Sequence, residues 1–122
     1  MDYLPIFVAT RARRIVVAGE GQLAEAKCRA VLKTVAAVTL FCEAPTEAMR
    51  EWADQRRLTL ETRLCGAADL KGVRLVYAAS ENEAVNRQLA DWARQAGAWV
   101  NVLDEPDECD FITPAVVDRD PV

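Results

Sequence analysis

The stretch that most limits what this chain can fold into runs from Arg14 to Lys27, Arg-Ile-Val-Val-Ala-Gly-Glu-Gly-Gln-Leu-Ala-Glu-Ala-Lys. Ile15 to Ala18 is a short apolar run without alternation, the pattern of a strand buried on both faces. Gly19 ends it, Gly21 follows two residues on, and Ala24 three after that, where a helical pattern begins. The spacing is G-x-G-x-x-A, the turn that joins a parallel strand to a helix in a dinucleotide-binding unit. Gly19 lets the chain leave the strand sharply. Gly21 lacks a Cβ, so a pyrophosphate can approach the backbone. Ala24 is small enough for the helix to pack on the strand. The free N–H groups and positive end of the helix then face the phosphates.

The rest of the chain alternates strand and helix. Residues 1–10 are an apolar lead-in, and Arg11 to Arg14 form a basic turn read as solvated in preference to an anion site. Strands are predicted over 14–18, 38–42, 58–62, 73–79 and 99–103. Helices are predicted over 22–34, 46–57 and 81–96, with a brief turn or helical piece at 66–70. Ser80 is expected to cap the third helix, with Glu83 in the capping-box position, and Gly97 to end it. Phe111 to Val117 is a candidate sixth strand. The expected class is α/β, a Rossmann-like doubly wound parallel sheet of order 3-2-1-4-5 with an extra C-terminal strand, formed as one domain over residues 1–122. A nucleotide would cross it between strands 1 and 4.

Composition narrows the chemistry. The chain has no histidine, so the commonest general base and transition-metal ligand are missing. No metal-ligand set is read from the sequence. A net charge of −4 argues against nonspecific nucleic-acid binding. No apolar run approaches the roughly 20 residues of a membrane helix, and no signal peptide is evident, so a cytoplasmic protein with neither membrane nor nucleic acid as partner is expected. The four cysteines, Cys28, Cys42, Cys65 and Cys109, form no C-x-x-C pair. Cys28 and Cys42 are expected as small buried hydrophobes, and a disulfide framework is not expected.

Two carboxylates stand where open α/β sheets bind ligands, at the carboxyl ends of strands. Glu43 lies about 20 residues past the glycine turn, the distance at which an acid accepts hydrogen bonds from the adenosine ribose. It would favour NAD over NADP by repelling a 2′-phosphate. Its alternative is a surface residue before Ala44 and Pro45. Asp104 ends the fifth strand, where it can take a proton or bind a cation, or merely cap the next turn. The acidic run Asp104, Glu105, Asp107, Glu108 and Asp110 lacks calcium-loop spacing and reads as a solvated loop apart from Asp104. Arg119 is the nearest candidate to offset the repulsion between this loop and an anionic substrate, or else a simple ion-pair partner for the loop.

Longer segments carry a resemblance. Met1 to Phe7, the Gly19 turn with Ala24 and Lys27, Ala78-Ala79-Ser80, Val85-Asn86-Arg87-Gln88, and above all Val100-Asn101-Val102-Leu103-Asp104-Glu105-Pro106 with Cys109 to Ile112 and Pro114 to Arg119 resemble the siroheme synthase N-terminal domain. That family is precorrin-2 dehydrogenase/sirohydrochlorin ferrochelatase. The resemblance covers essentially the whole chain and implies NAD-dependent oxidation of precorrin-2 to sirohydrochlorin, extending in part of the family to insertion of ferrous iron. It implies cofactor contacts at Gly19, Gly21, Gln22, Leu23, Glu43 and Ala44, and a catalytic role for Asp104. The implied partners are a tetrapyrrole substrate, ferrous iron as a second substrate, and a second copy of the chain in a full-length homodimer.

Three departures matter. Glu20 stands where the family has the middle of three glycines, and Ala26 where it favours arginine. The chain also ends at Val122, whereas relatives continue into a dimerising and helical region, so a truncated domain is expected. An alternative therefore stays open, a degenerate or regulatory nucleotide-binding domain without catalysis.

Overall fold

The computed structural model describes residues 2–113. Within it, short runs rich in valine, leucine and alanine form five strands: β1 (Arg14–Gly19), β2 (Ala37–Phe41), β3 (Thr59–Glu61), β4 (Leu75–Ala79) and β5 (Trp99–Val102). All pair in parallel, in the order β3-β2-β1-β4-β5, as the alternation predicts. Helix α1 (Gly21–Val31) follows β1, α2 (Glu47–Asp54) follows β2, and α3 (Glu83–Gln95) follows β4. The β3-to-β4 crossover contains only a four-residue 3₁₀ turn, Ala67–Leu70.

Side chains alternate across the sheet and build two cores. Ile15, Val17, Leu40 and Tyr77 face α1 and α2, meeting Ala24, Cys28, Val31 and Met49. Val16, Ala18, Val76, Ala78 and Val100 face α3, meeting Leu89, Ala90 and Ala93. Each large side chain buried this way is worth about 1.5–3 kcal/mol. Ala24 is fully buried, the close helix-to-strand contact that its small size allows.

Several boundaries shift for local reasons. The first helix stops at Val31, short of 34, because the Thr34 hydroxyl bonds the Val31 carbonyl at 2.7 Å. The second stops at Asp54, short of 57: Arg56 turns left-handed (φ 60°) and Arg57 N–H reaches back to Trp52 O. The third ends as expected at Gly97, φ 82°, with Ala98 N–H on Ala93 O. Ser80 does not cap it. Asn82 does, its side chain accepting from Ala84 and Val85 N–H, so Glu83 opens the helix.

After β5 the chain turns back along its free edge. Asp110 N–H donates to Val100 O (2.8 Å), and Val100 N–H to the Asp110 carboxylate (2.9 Å). Val102 N–H meets Cys109 Sγ, and Asn101 Nδ2 donates to Phe111 O. Side chains thus occupy edge groups that would otherwise template further pairing. Arg94 reaches Glu108 and Asp110 from α3, the ion-pair role read as the alternative for Arg119, which lies outside the described residues. Of the expected sixth strand, Phe111 to Thr113 are not strand, and residues 114–117 lie outside the described residues. The lead-in over residues 2–10 has no regular structure and exposes Leu4, Ile6 and Phe7. No helix among the described residues is long and apolar enough to cross a membrane.

Candidate functional site

The carboxyl ends of β1, β2 and β4 converge on a cleft of about 600 Å³ on the α3 side of the sheet. It exists because the short 3₁₀ crossover lays no helix over the ends of β2 and β3. Gly19, Glu20, Glu43, Ala44, Arg63 and Ser80 lie on its walls, and Ala18 and Phe41 beneath. This is the switch point where β1 leads to one side of the sheet and β4 to the other.

Gly19 is required by closeness. A Cβ there would stand 2.1 Å from Ala79 O and 2.7 Å from Ser80 N, inside the backbone of β4. Gly21 is required by conformation. Its φ is 74°, while a Cβ would meet only Glu81 Oε1 at 3.8 Å. The first turn of α1 carries neither a side-chain cap nor an acidic residue, so its N–H groups have no side-chain partner. Gln22 and Leu23 sit in that turn and are exposed. Such a helix end favours an anion.

Glu20 does not face open solvent. It spans the switch point, where its Oε1 accepts from Ser80 Oγ (3.0 Å) and Glu81 N–H (3.2 Å). The carboxylate therefore holds the β1–α1 turn to the β4–α3 turn. Ser80 is gripped from below as well. Its N–H donates to Asn86 Oδ1 (2.9 Å) and its carbonyl accepts from Asn86 Nδ2 (2.8 Å), both buried. This double engagement explains why Ser80 is not the helix cap. Its hydroxyl is spent on Glu20 and on Asn82 N–H.

Glu43 and Ala44 follow the end of β2, exposed at the cleft mouth. Asp104 lies on the same edge of the sheet but is not among the residues lining the cleft. It is exposed in a turn, with φ 59°, a left-handed conformation that aspartate tolerates. Its carboxylate bonds no other described residue, so it does not cap the next turn. Strand spacing of about 4.8 Å sets the end of β5 roughly 10 Å to the side of β1. No group of three or more potential ligands for a metal ion occurs among the described residues.

The cysteines are all free. Burial pushes the Cys28 and Cys65 thiols up to about 12, and burial raises Cys42 as well. Reaction with alkylating agents needs the thiolate. At mildly alkaline pH, iodoacetamide should therefore leave Cys28 and Cys65 unmodified in the folded protein under conditions that label both in urea. Peptide mass mapping that finds either labelled at the unfolded rate would show that burial does not protect it.

A family model described as "Putative NAD(P)-binding" matches residues 6–115. The chain belongs to this NAD(P)-binding family. Over all 122 residues it is 43% identical to the siroheme synthase of Methylococcus capsulatus, 37% to that of Pseudoalteromonas translucida and 36% to that of Nitrosococcus oceani. It spans 26% of the length of each of these relatives. The solved structure of SirC, a precorrin-2 dehydrogenase, shares the fold, with a TM-score of 0.83 over 98% of this chain and 59% of that one, at 21% identity. These matches bear out the resemblance to the siroheme synthase N-terminal domain.

Within the family's nucleotide-binding frame, two groups went unread in the sequence. Asn86 is one; its signal is a polar residue on the same helical face as Leu89, Ala90 and Ala93, all buried. The other is Arg63 with Asp69, whose pairing follows from the loop between them and has no periodic signature.

Proposed function

We propose that this chain is the NAD-binding dehydrogenase domain of a siroheme-pathway enzyme that oxidises precorrin-2 to sirohydrochlorin. The observation that carries the reading is the glycine turn opening onto a cleft at the switch point of a family-matched sheet. Bound NAD⁺ supplies the hydride acceptor. The first turn of α1, with Gly19, Gly21, Gln22 and Leu23, cradles the pyrophosphate with backbone N–H groups. Glu43 accepts hydrogen bonds from the adenosine ribose, beside Ala44. Asp104, exposed just past the end of β5, takes the proton that leaves the tetrapyrrole as its hydride departs. Insertion of ferrous iron into the product, a cytoplasmic location, and a homodimer of the full-length protein belong to the same reading.

Calorimetric titration of NAD⁺ tests it. Saturable binding in the micromolar to millimolar range is expected, and no binding at millimolar NAD⁺ would remove the cofactor from this chain. In the whole natural protein, Asp104→Ala should slow precorrin-2 oxidation about 100-fold, the lower range for a lost general base, with NAD⁺ affinity unchanged. An unchanged rate would clear Asp104 of that role.

One observation favours a second reading, a nucleotide-binding domain without catalysis. Glu20 stands at the switch point as a negative charge beside the phosphate path. That reading expects NAD⁺ binding but no turnover of precorrin-2 by the unmodified protein.

A further inference from the structure

The charged groups lining the cleft are Glu20, Glu43 and Arg63. Arg63 is thus the cation of the described cleft lining, and its geometry is unusual for a residue meant to grip a phosphate. Its guanidinium lies 5.0 Å from the centre of the Phe41 ring. Its Nη1 and Nη2 each stand 2.8 Å from one Asp69 oxygen, a bidentate fork. Nη1 also donates to Leu64 O (3.1 Å), and Nε pairs loosely with Glu61 at 3.7 Å. Asp69 is itself anchored, accepting from Gly66 N–H at 2.7 Å. The guanidinium therefore stands over the Phe41 ring, is fixed along its terminal edge by Asp69, and leaves the side chain 53% exposed. Across the cleft stand Val85, Leu89 and Trp92 of α3.

Asp69 closes the 3₁₀ turn through Gly66 N–H, and its pair with so exposed an arginine adds modestly to folding. A planar cation whose Nη1–Nη2 fork is held by Asp69 and whose Nε faces Glu61 suits a further task. It can stack on a heteroaromatic ring, through dispersion and its positive charge. Its Nη1–Nη2 fork, the usual grip of arginine on phosphorylated ligands, is taken by Asp69. Glu43 and Glu20 add negative charge at the same cleft.

We propose that the Arg63–Asp69 pair sets the preference of this cleft among dinucleotides: locked, it gives the adenine a flat cationic wall and denies a 2′-phosphate the guanidinium fork. The inference rests on the nucleotide-binding reading above and adds the element that decides between NAD⁺ and NADP⁺. The lock persists through the physiological range, since the Arg63 fork, helped by Gly66 N–H, holds the Asp69 carboxyl down to about 2.

Calorimetric titration of NAD⁺ and NADP⁺ into the wild-type chain, Arg63→Ala and Asp69→Asn tests it. The wild type should bind NAD⁺ at least about tenfold more tightly than NADP⁺. Arg63→Ala should weaken NAD⁺ binding about tenfold through lost stacking. Asp69→Asn should free the fork and tighten NADP⁺ about tenfold, with NAD⁺ little changed, so that the ratio narrows. Circular dichroism melts of each variant show whether it is folded. Should Arg63→Ala fail to fold, the ratio for Asp69→Asn decides alone; should that variant also fail, Arg63→Lys replaces it, keeping the charge without the plane, and must lose NAD⁺ affinity. A folded Arg63→Ala that keeps wild-type NAD⁺ affinity, or a folded Asp69→Asn that keeps the wild-type ratio of NAD⁺ to NADP⁺ affinity, overturns this inference and spares the nucleotide reading. A wild type that binds neither dinucleotide overturns both.

Discussion

A Gly19→Ala chain will not hold the native sheet. Gly19 pairs with Ala79 at the carboxyl ends of β1 and β4, the two strands at the middle of the sheet. The new methyl would sit 2.1 Å from Ala79 O and 2.2 Å from Ala79 C. Both atoms are backbone, held in the ladder, so no side chain can swing aside. Relief requires the two strands to part where Glu20, Ser80 and Asn86 bind them together. Overlap of this kind belongs with the largest single-residue effects, about 4 kcal/mol or more. Against a total stability of about 5–15 kcal/mol, the variant should be largely unfolded or shifted to a much lower urea midpoint. Gly21→Ala is the control. It meets only an ordinary contact with Glu81 Oε1 at 3.8 Å but keeps a left-handed backbone, at a cost of about 1–2 kcal/mol. A Gly19→Ala variant within about 1 kcal/mol of wild type would show that the strands are not as closely held as described.

Asn86→Ala should be the next most damaging change. It removes both partners of the Ser80 backbone at once, and Ser80 is 6% exposed, so water does not readily replace them. Each buried group left unsatisfied costs about 1–3 kcal/mol. Better helix propensity for alanine returns about 0.5 kcal/mol. The net loss expected in urea denaturation is about 2–5 kcal/mol. Local loosening should go further than the global loss: amide exchange at Ser80 and Glu81 should quicken more than at Val76 in the middle of β4. A loss below about 1 kcal/mol, or uniform acceleration across β4, would remove Asn86 from its role in holding the turn.

Both residues bear on how the switch point is kept in shape. Gly19 sets how closely β1 approaches β4, and Asn86 sets where the β4–α3 turn stands above them. Glu20 then closes the gap between the two turns with a carboxylate. A nucleotide crossing here meets a preformed frame, and the charge of Glu20 separates the enzymatic reading from the binding-only one.

Much of this was legible in residue order. The unbroken apolar run of β1, the alternation of strands and helices, and the small residues at 19, 21 and 24 lead to the parallel sheet and its 3-2-1-4-5 order. These features are local. A strand buried on both faces must be apolar throughout, and a crossover connection has one favoured hand. The position of Glu43 at the cleft mouth was legible too, because its distance from the glycine turn follows from the length of one helix and one strand. Ser80 was misread as a cap because capping patterns report which residues can accept from the backbone, while the serine here was already committed to Glu20, Asn82 and Asn86.

The sequence by itself determined the class of fold, the edge of the sheet that carries the cleft, and the family. Only the tertiary structure decided that Glu20 turns across the switch point to Ser80, 60 residues away, that Asn86 anchors the same serine from inside, and that Arg63 stands over Phe41 with its terminal fork closed by Asp69. The physical reason is one of range. Periodicity and turn chemistry act between near neighbours in the chain, whereas a side chain chooses its hydrogen-bond partner only after the sheet has brought distant strand ends together.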